Sequence, residues 1–176
     1  IDVIEISIKD PVPPHIDLKL TIRKALTIMP RHLFKSIKKI TIGQFQILNA
    51  RELDALYKDN VIYLTNLQDS NADVLDDIVH EIAHSVEVEY EDFIYADGEL
   101  QAEFLQKRRK LKHSLDSLGF FMPLDKYIET GYDKEFDMFL YKEIGYKVLT
   151  PITTDMFLSP YAATSLREYF AIGFEN

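Results

Sequence analysis

The chain has 176 residues, 47% of them hydrophobic, and a formal net charge of −9. The lack of cysteine excludes disulfides and thiolate metal ligands, so a transition metal would have to be held by histidine and carboxylate. No apolar run approaches the roughly 18 residues of a membrane span, and an acidic chain is unsuited to nucleic acid as its main partner. We therefore expect a soluble protein without a membrane span or a nucleic-acid partner.

The length predicts one domain over residues 1–176, with enough chain for a sizeable core. The sequence begins at Ile1 rather than at methionine and ends inside a predicted helix. We therefore expect an excised domain or a product processed from a longer chain, from which a targeting segment could have been removed. The cellular location and the oligomeric state stay open.

Periodicity and turn signals predict strands that alternate with helices over residues 3–65, and mainly helices after them. In the opening strand, Ile4, Ile6 and Ile8 alternate with polar residues and are expected to face the core. The predicted elements are, in chain order, a strand over 3–9, a helix over 16–28, a helical turn through 37, a strand over 39–45, a helix over 50–58, a strand over 61–65, a helix that contains 80–84, a helix over 99–118, a loop over 120–132, a helix over 134–146, an irregular segment over 148–160 and a last helix from near 164.

The most informative motif is His-Glu-Ile-Ala-His at residues 80–84, inside a predicted helix that starts after Ser70. Two histidines four residues apart share one helix face, so the imidazoles of His80 and His84 can reach a single cation. Glu81 stands where a carboxylate can polarise a metal-bound water. The motif predicts a hydrolytic metal site; the competing interpretation is a solvated amphipathic helix that happens to carry two histidines.

Charge is distributed unevenly around this motif. Residues 61–106 contain 12 acidic and no basic side chains, which would favour a bound cation and attract a basic substrate. Residues 107–112 are strongly basic. We expect these long side chains to form a solvated helix face whose aliphatic stems cover apolar surface.

A catalytic zinc site needs a third protein ligand, because zinc hydrolases use three and leave a fourth position for water. A histidine six residues after His84 is excluded, since residue 90 is tyrosine. Glu168, near the start of the last helix, is the candidate, although Ser165-x-x-Glu168 is also a capping-box pattern in which the carboxylate would reach back to a backbone N–H. The other carboxylates that could compete as ligands are Glu99, Asp155 and Glu175.

Together with residues 80–84, the stretch Tyr-x-x-Thr-Ser-x-x-Glu-Tyr-Phe-Ala over residues 161–171 resembles the anthrax lethal factor-like zinc metallopeptidase domain. Members of that family are gluzincins, HExxH zincins whose third zinc ligand is a glutamate. The resemblance covers the two motifs and their helices. It implies an α+β, zincin-like domain, in which a small mixed sheet packs on the HExxH active-site helix with further helices around it.

The same resemblance implies a zinc-dependent endopeptidase and assigns a role to each motif residue. It implies that His80, His84 and Glu168 bind Zn²⁺. It implies that Glu81 is the general base and that Tyr161 donates a hydrogen bond to the developing oxyanion. We further expect a protein or peptide substrate with basic residues near the scissile bond, because the motif lies in the acidic stretch.

The sequence departs from the family pattern at two positions. Ser165 stands in place of asparagine, and Ile172 stands in place of a second glutamate that would support a metal ligand. Asp77, one turn before Glu81, is a candidate to orient a ligand instead. The missing glutamate gives weight to an alternative function, namely a catalytically silent binding or structural module of a toxin, a phage particle or a larger assembly. Secretion and association with a phage or toxin are both compatible with the sequence.

A zincin binds its extended substrate along an edge strand, and the strand over 61–65 directly precedes the motif helix. We therefore expect the peptide to lie antiparallel to residues 61–65. Tyr63 and Tyr90 are expected either to line this cleft or to pack as ordinary aromatic residues.

Overall fold

The computed structural model describes residues 4–50 and 52–176. Within these residues the chain has an α+β fold, with eight α-helices and one four-stranded mixed sheet. Two compact units are present: the first extends to Glu89 and includes Glu175, and the second comprises Tyr90–Phe174 and Asn176. The single domain expected over residues 1–176 stays a prediction.

The first unit contains the sheet and most of the motif helix. The predicted helix over 16–28 and the strands over 39–45 and 61–65 are confirmed, with shorter bounds. The opening strand is confirmed over residues 5–8 but not at 4 and 9, and Val3 lies outside the described residues. The elements are β1 (Glu5–Ile8), α1 (Leu18–Ile28), a 3₁₀ turn (Arg31–Phe34), β2 (Lys39–Ile42), α2 (Gln46–Asn49), β3 (Ala55–Lys58), β4 (Val61–Leu64) and α3 (Asn71–Ile94).

The sheet has the strand order β1-β2-β4-β3, with β1, β2 and β4 parallel and β3 antiparallel to β4. The helix expected over 50–58 is therefore wrong, because residues 55–58 form a strand. The turn that joins β3 to β4 consists of Asp59 and Asn60, with φ values of 51° and 68°. Two successive residues with positive φ form the type of turn that matches the twist of a two-residue hairpin.

This strand order also overturns the expected substrate strand. Residues 61–64 form β4, which pairs with β2 on one side and with β3 on the other. A strand with neighbours on both sides has no edge to offer a peptide. The free edge in this part of the sheet belongs to β3.

The core of the first unit lies between one face of the sheet and the apolar stripe of α3. Ile6 and Ile8 were expected on the buried side of β1, but they are 40% and 58% exposed, because β1 is an edge strand with a neighbour on one side only. Ile4 is partly buried against the core. The fully buried side chains of this core are Ala25 of α1, Ile40 and Ile42 of β2, Ile62 and Leu64 of β4, and Val74, Ile78 and Ile82 of α3.

The second unit is helical and has its own core. The predicted long helix and the last helix are confirmed, but α5 lies in the expected loop and α7 in the expected irregular segment. No helix of the described residues is both long and apolar enough to cross a membrane. The elements are α4 (Glu99–Ser117), α5 (Leu124–Ile128), α6 (Lys134–Met138), a π-helical turn (Phe139–Ile144), α7 (Tyr146–Thr153), a 3₁₀ turn (Pro160–Ala163) and α8 (Leu166–Glu175), whose last residue groups with the first unit.

Candidate metal centre

Helix α3 fixes the position of the two motif histidines. It starts with a cap, since the Ser70 hydroxyl accepts a hydrogen bond from the Asp73 N–H at 3.2 Å and donates one to the Asp73 carboxylate at 2.8 Å. Its apolar stripe packs against the sheet, which leaves the histidines on a flank of the helix. His80 is half-buried and His84 is buried.

The two imidazoles turn the same ring atom toward each other. The Nε2 atoms of His80 and His84 are 3.1 Å apart, and the rings are nearly perpendicular, with centroids 4.7 Å apart. Two nitrogen ligands at ordinary zinc distances and a tetrahedral angle would be about 3.3 Å apart. The pair therefore fits two ligands of one tetrahedral cation.

A carboxylate lies beside the other ring nitrogen of each histidine. Glu175 Oε2 is 3.3 Å from His80 Nδ1, and Glu87 Oε2 is 3.6 Å from His84 Nδ1. Histidines that bind metals through one nitrogen usually have a carboxylate or carbonyl at the other, which fixes the tautomer and the ring orientation. Neither glutamate is predicted from the sequence to lie beside a histidine, although the three-residue spacing from His84 to Glu87 on a helix is a usable signal.

Asp77, the residue expected to orient a ligand, has a different partner. Its carboxylate accepts a hydrogen bond from the Gln68 side-chain amide at 2.9 Å. Burial, reinforced by the nearby charges of Asp54 and Glu81 and opposed by the Gln68 hydrogen bond, raises the pKa of Asp77 to about 6. Glu175 and Glu87, rather than Asp77, are the carboxylates that lie beside the Nδ1 atoms of the two histidines.

Glu81 is 5% exposed and is tied to the edge strand β3. Its Oε2 atom accepts a hydrogen bond from the backbone N–H of Tyr57 at 2.6 Å. In the β3–β4 ladder, Thr65 N–H donates to Asp54 C=O, so the backbone groups of Ala55 and Tyr57 point to the open side of β3. The candidate base is thereby held at the free edge of the sheet.

In the second unit, Tyr161 and Glu168 flank the entry to α8. Tyr161 lies in the 3₁₀ turn, and its carbonyl accepts hydrogen bonds from both the N–H and the hydroxyl of Thr164, at 3.0 and 2.7 Å. The Ser165 hydroxyl accepts a hydrogen bond from the Glu168 N–H at 3.2 Å. Ser165 therefore caps this helix.

The surroundings of Glu168 are acidic and half-buried. Burial, with an added effect of the Glu168 charge, raises the pKa values of Asp137 and Tyr146. The Glu168 carboxylate therefore lies close enough to Asp137 for its charge to disfavour the ionisation of that residue.

The basic cluster of α4 differs from the expected solvated face at Arg108, which is 1% exposed. Its guanidinium donates hydrogen bonds to the carbonyls of Lys126 and Thr164, each at 2.8 Å. It also lies over the rings of Phe104 and Phe136, with its central carbon 4.8 and 4.1 Å from the ring centres. Burial lowers the pKa of Arg108 to about 10. Sequence periodicity alone does not separate a buried arginine from a solvated one.

Of the other aromatic residues named from the sequence, Tyr63 packs edge-on against Phe45, with ring centres 5.2 Å apart. At Tyr90 the backbone of α3 departs from helical dihedral angles, with φ −119° and ψ 19°.

Comparisons of this chain with protein-family models, with curated proteins and with solved structures give no match.

Proposed function

We propose that this chain is a zinc-dependent endopeptidase with a zincin-like fold, in which His80, His84 and Glu168 bind the metal. The observation that carries the proposal is the 3.1 Å approach of the two Nε2 atoms, with a carboxylate at each Nδ1. A hydrogen bond between the two imidazoles would give the same Nε2–Nε2 distance, and the carboxylate beside each Nδ1 is what favours a shared metal ion. In support, Glu168 is half-buried and offers a carboxylate oxygen as a third ligand atom.

The chemistry of the donor set fits zinc. Two imidazole nitrogens and one carboxylate oxygen are the ligand set of zinc hydrolases, and they leave a fourth position for substrate or water. When bound, zinc polarises a carbonyl and makes water acidic near neutral pH.

Two side chains of this protein would handle the proton and the developing charge. Glu81 follows His80 directly in α3, and we assign it the role of general base that accepts a proton and passes it to the leaving amine. Tyr161 would donate a hydrogen bond to the oxyanion of the tetrahedral intermediate. A phenol serves this purpose because it donates without carrying a charge of its own.

The edge strand β3 is the proposed binding strand for the substrate. An extended peptide can add to a sheet edge through backbone hydrogen bonds. The backbone groups of Ala55 face the open side of β3, whereas the Tyr57 N–H on that side already donates to Glu81. A peptide bound there would lie beside the carboxylate of Glu81, which is itself attached to β3. The protein would recognise its protein or peptide substrate mainly through hydrogen bonds to the substrate backbone.

One observation favours a second candidate, the catalytically silent binding module. The Glu81 carboxylate is engaged by the Tyr57 N–H, and a hydrogen bond to the charged form of a carboxylate lowers its basicity. A module that binds zinc and peptide without hydrolysis would have the same ligand set. The endopeptidase and the silent binding module therefore differ only in whether the bound peptide is hydrolysed.

Zinc stoichiometry tests the ligand set. Elemental analysis after reconstitution at neutral pH should find one zinc per wild-type chain, much weaker retention in Glu168→Ala, and wild-type retention in Glu99→Ala. Hydrolysis of a peptide pool by wild type, lost in Glu81→Gln, would then establish the endopeptidase. Zinc binding without hydrolysis would favour the silent module, and an absence of zinc in wild type would overturn both.

A further inference from the structure

Arg108 is a buried cation that is held by carbonyl groups rather than by an anion. Among residues 4–50 and 52–176, no carboxylate lies within ion-pair distance of its guanidinium, and its Nε is buried with no hydrogen-bond partner. Burying a charge without a counter-charge is costly, and an apolar side chain of similar volume is often equally or more stable. A contribution to the free energy of unfolding therefore does not explain why an arginine occupies this buried position.

The two carbonyls that Arg108 engages belong to different parts of the second unit. One is Lys126, in α5, and the other is Thr164, directly before the cap residue of α8. Thr164 is 1% exposed, so its carbonyl has little access to water. On the other side of the cap residue, Leu166 N–H donates to Thr130 C=O at 2.9 Å. The backbone around Ser165 is thus anchored at two points.

This anchor lies between the two functional residues of the segment. The N–H and the hydroxyl of Thr164 both donate hydrogen bonds to the carbonyl of Tyr161. The hydroxyl of the next residue, Ser165, accepts a hydrogen bond from the N–H of Glu168. A continuous set of hydrogen bonds therefore runs from Arg108 through Thr164 to Tyr161, with Glu168 one turn further along the chain. A shift of the Thr164 carbonyl would move both residues.

We infer that Arg108 is a positioning residue: its guanidinium fixes the Thr164 carbonyl and thereby the entry to α8, so that Tyr161 and Glu168 are held in place before metal or substrate arrives. The metal part of this inference rests on the proposed function. Two ring faces and two carbonyl acceptors match the planar, forked guanidinium, whereas a lysine ammonium offers a compact charge that suits neither ring stacking nor two fixed acceptors.

Two substitutions test this inference, with a matched control. Arg108→Met keeps most of the volume and removes both donors, and Arg108→Lys keeps the charge and can satisfy one carbonyl. Arg109→Met changes the exposed neighbour on the same helix. If Arg108→Met does not fold, the comparison of Arg108→Lys with Arg109→Met decides whether Arg108 positions the entry to α8.

Amide hydrogen exchange of the metal-free protein is the first measurement. We expect the Leu166 and Glu168 amides to exchange roughly tenfold faster or more in Arg108→Met, less so in Arg108→Lys, and at the wild-type rate in Arg109→Met. Amides inside α4 and α7 should keep their wild-type rates. Unchanged exchange at the start of α8, or acceleration spread evenly over the second unit, would overturn the inference, since the arginine would then be inert or a general packing element.

Zinc affinity and steady-state kinetics are the second measurement. We expect Arg108→Met to weaken zinc binding on the order of 10–100-fold, and to lower kcat at saturating zinc with little change in KM, whereas Arg109→Met changes neither. Faster exchange at α8 with unchanged zinc affinity would overturn the link to the metal centre. An absence of zinc in wild type would overturn the proposed function, and the exchange pattern would still decide whether Arg108 fixes the entry to α8.

Discussion

The Glu81 carboxylate and the Tyr57 backbone N–H are joined by a 2.6 Å hydrogen bond. This bond connects the residue between the motif histidines to the middle of the edge strand β3. A single side chain therefore has two duties, to hold the edge strand on α3 and, in the proposed function, to accept a proton. Substitutions at position 81 can separate these duties.

We expect Glu81→Gln to lower peptide hydrolysis on the order of 10²–10⁴-fold while changing the free energy of unfolding by less than about 1 kcal/mol, because the amide oxygen still accepts the Tyr57 N–H. Glu81→Ala should also lower the free energy of unfolding by about 1–3 kcal/mol, because it leaves a buried N–H without this acceptor. Denaturant unfolding and the peptide assay measure the two effects. Equal stability of the two variants would show that the hydrogen bond does not matter.

The carboxylates beside the histidines should affect metal affinity. We expect Glu175→Gln and Glu87→Gln each to weaken zinc binding on the order of 10–100-fold, because the charge at Nδ1 that orients the imidazole is lost. Glu91→Gln, at an exposed position of α3, is the control. Competition with a chromogenic chelator gives the affinities, and identical values for all these proteins would rule out the orienting role.

Asp77 should make stability depend on pH. Its folded-state pKa of about 6 lies above its ordinary value of 3.8, so its stabilising contribution is fully present below about pH 3.8 and is lost as the pH rises through about 6. Asp77→Asn cannot ionise, and its free energy of unfolding should therefore exceed that of wild type by about 1–2 kcal/mol at pH 7.5, after discounting for screening, and by little near pH 4.

The measurement is denaturant unfolding of the metal-free protein between pH 4 and 7.5. Asp76→Asn, at the exposed neighbouring position, is the matched control and should follow wild type. Parallel curves for wild type and Asp77→Asn would contradict the raised pKa.

The acidic stretch over residues 61–106 should affect substrate choice. Its 12 acidic side chains and lack of basic ones predict a higher kcat/KM for peptides with lysine near the scissile bond than for matched peptides with glutamate. The difference should shrink between about 10 mM and 150 mM salt, because the Debye length falls from roughly 30 Å to 8 Å. Equal cleavage of the lysine and glutamate peptides at low salt would contradict the predicted preference.

The helices could be predicted where periodicity and caps agree. Ser70 and Ser165 cap the motif helix and the last helix as their spacing indicates, and both helices carry apolar stripes. The β3 strand was missed because its four residues, Ala-Leu-Tyr-Lys, contain no β-branched side chain, so pairing with β4 rather than propensity makes it a strand. Helix α7 was missed because Pro151 indicates a break, yet the helix ends two residues later.

The candidate site could be predicted only where its residues lie close together in the sequence. His80 and His84 are four residues apart on one helix, which fixes their shared face before any tertiary contact is known. Glu175 and His80 are 95 residues apart, and the burial of Arg108 depends on Phe136 and Thr164 from later elements. No local pattern contains such information, because these contacts exist only after the helices have packed.

The Asp59–Asn60 turn has a consequence for refolding. The β3–β4 hairpin is local, with Lys58 beside Val61, and such hairpins form within about 1–10 μs, whereas β1 and β2 pair only after residues 5 and 39 have met. We therefore expect the edge of β3 to form before α3 brings Glu81 to it, and an uncovered edge is a template for strands of other molecules. We expect the refolding yield of Glu81→Ala to fall with protein concentration more steeply than that of Glu81→Gln, so that the same carboxylate protects the folding chain from aggregation.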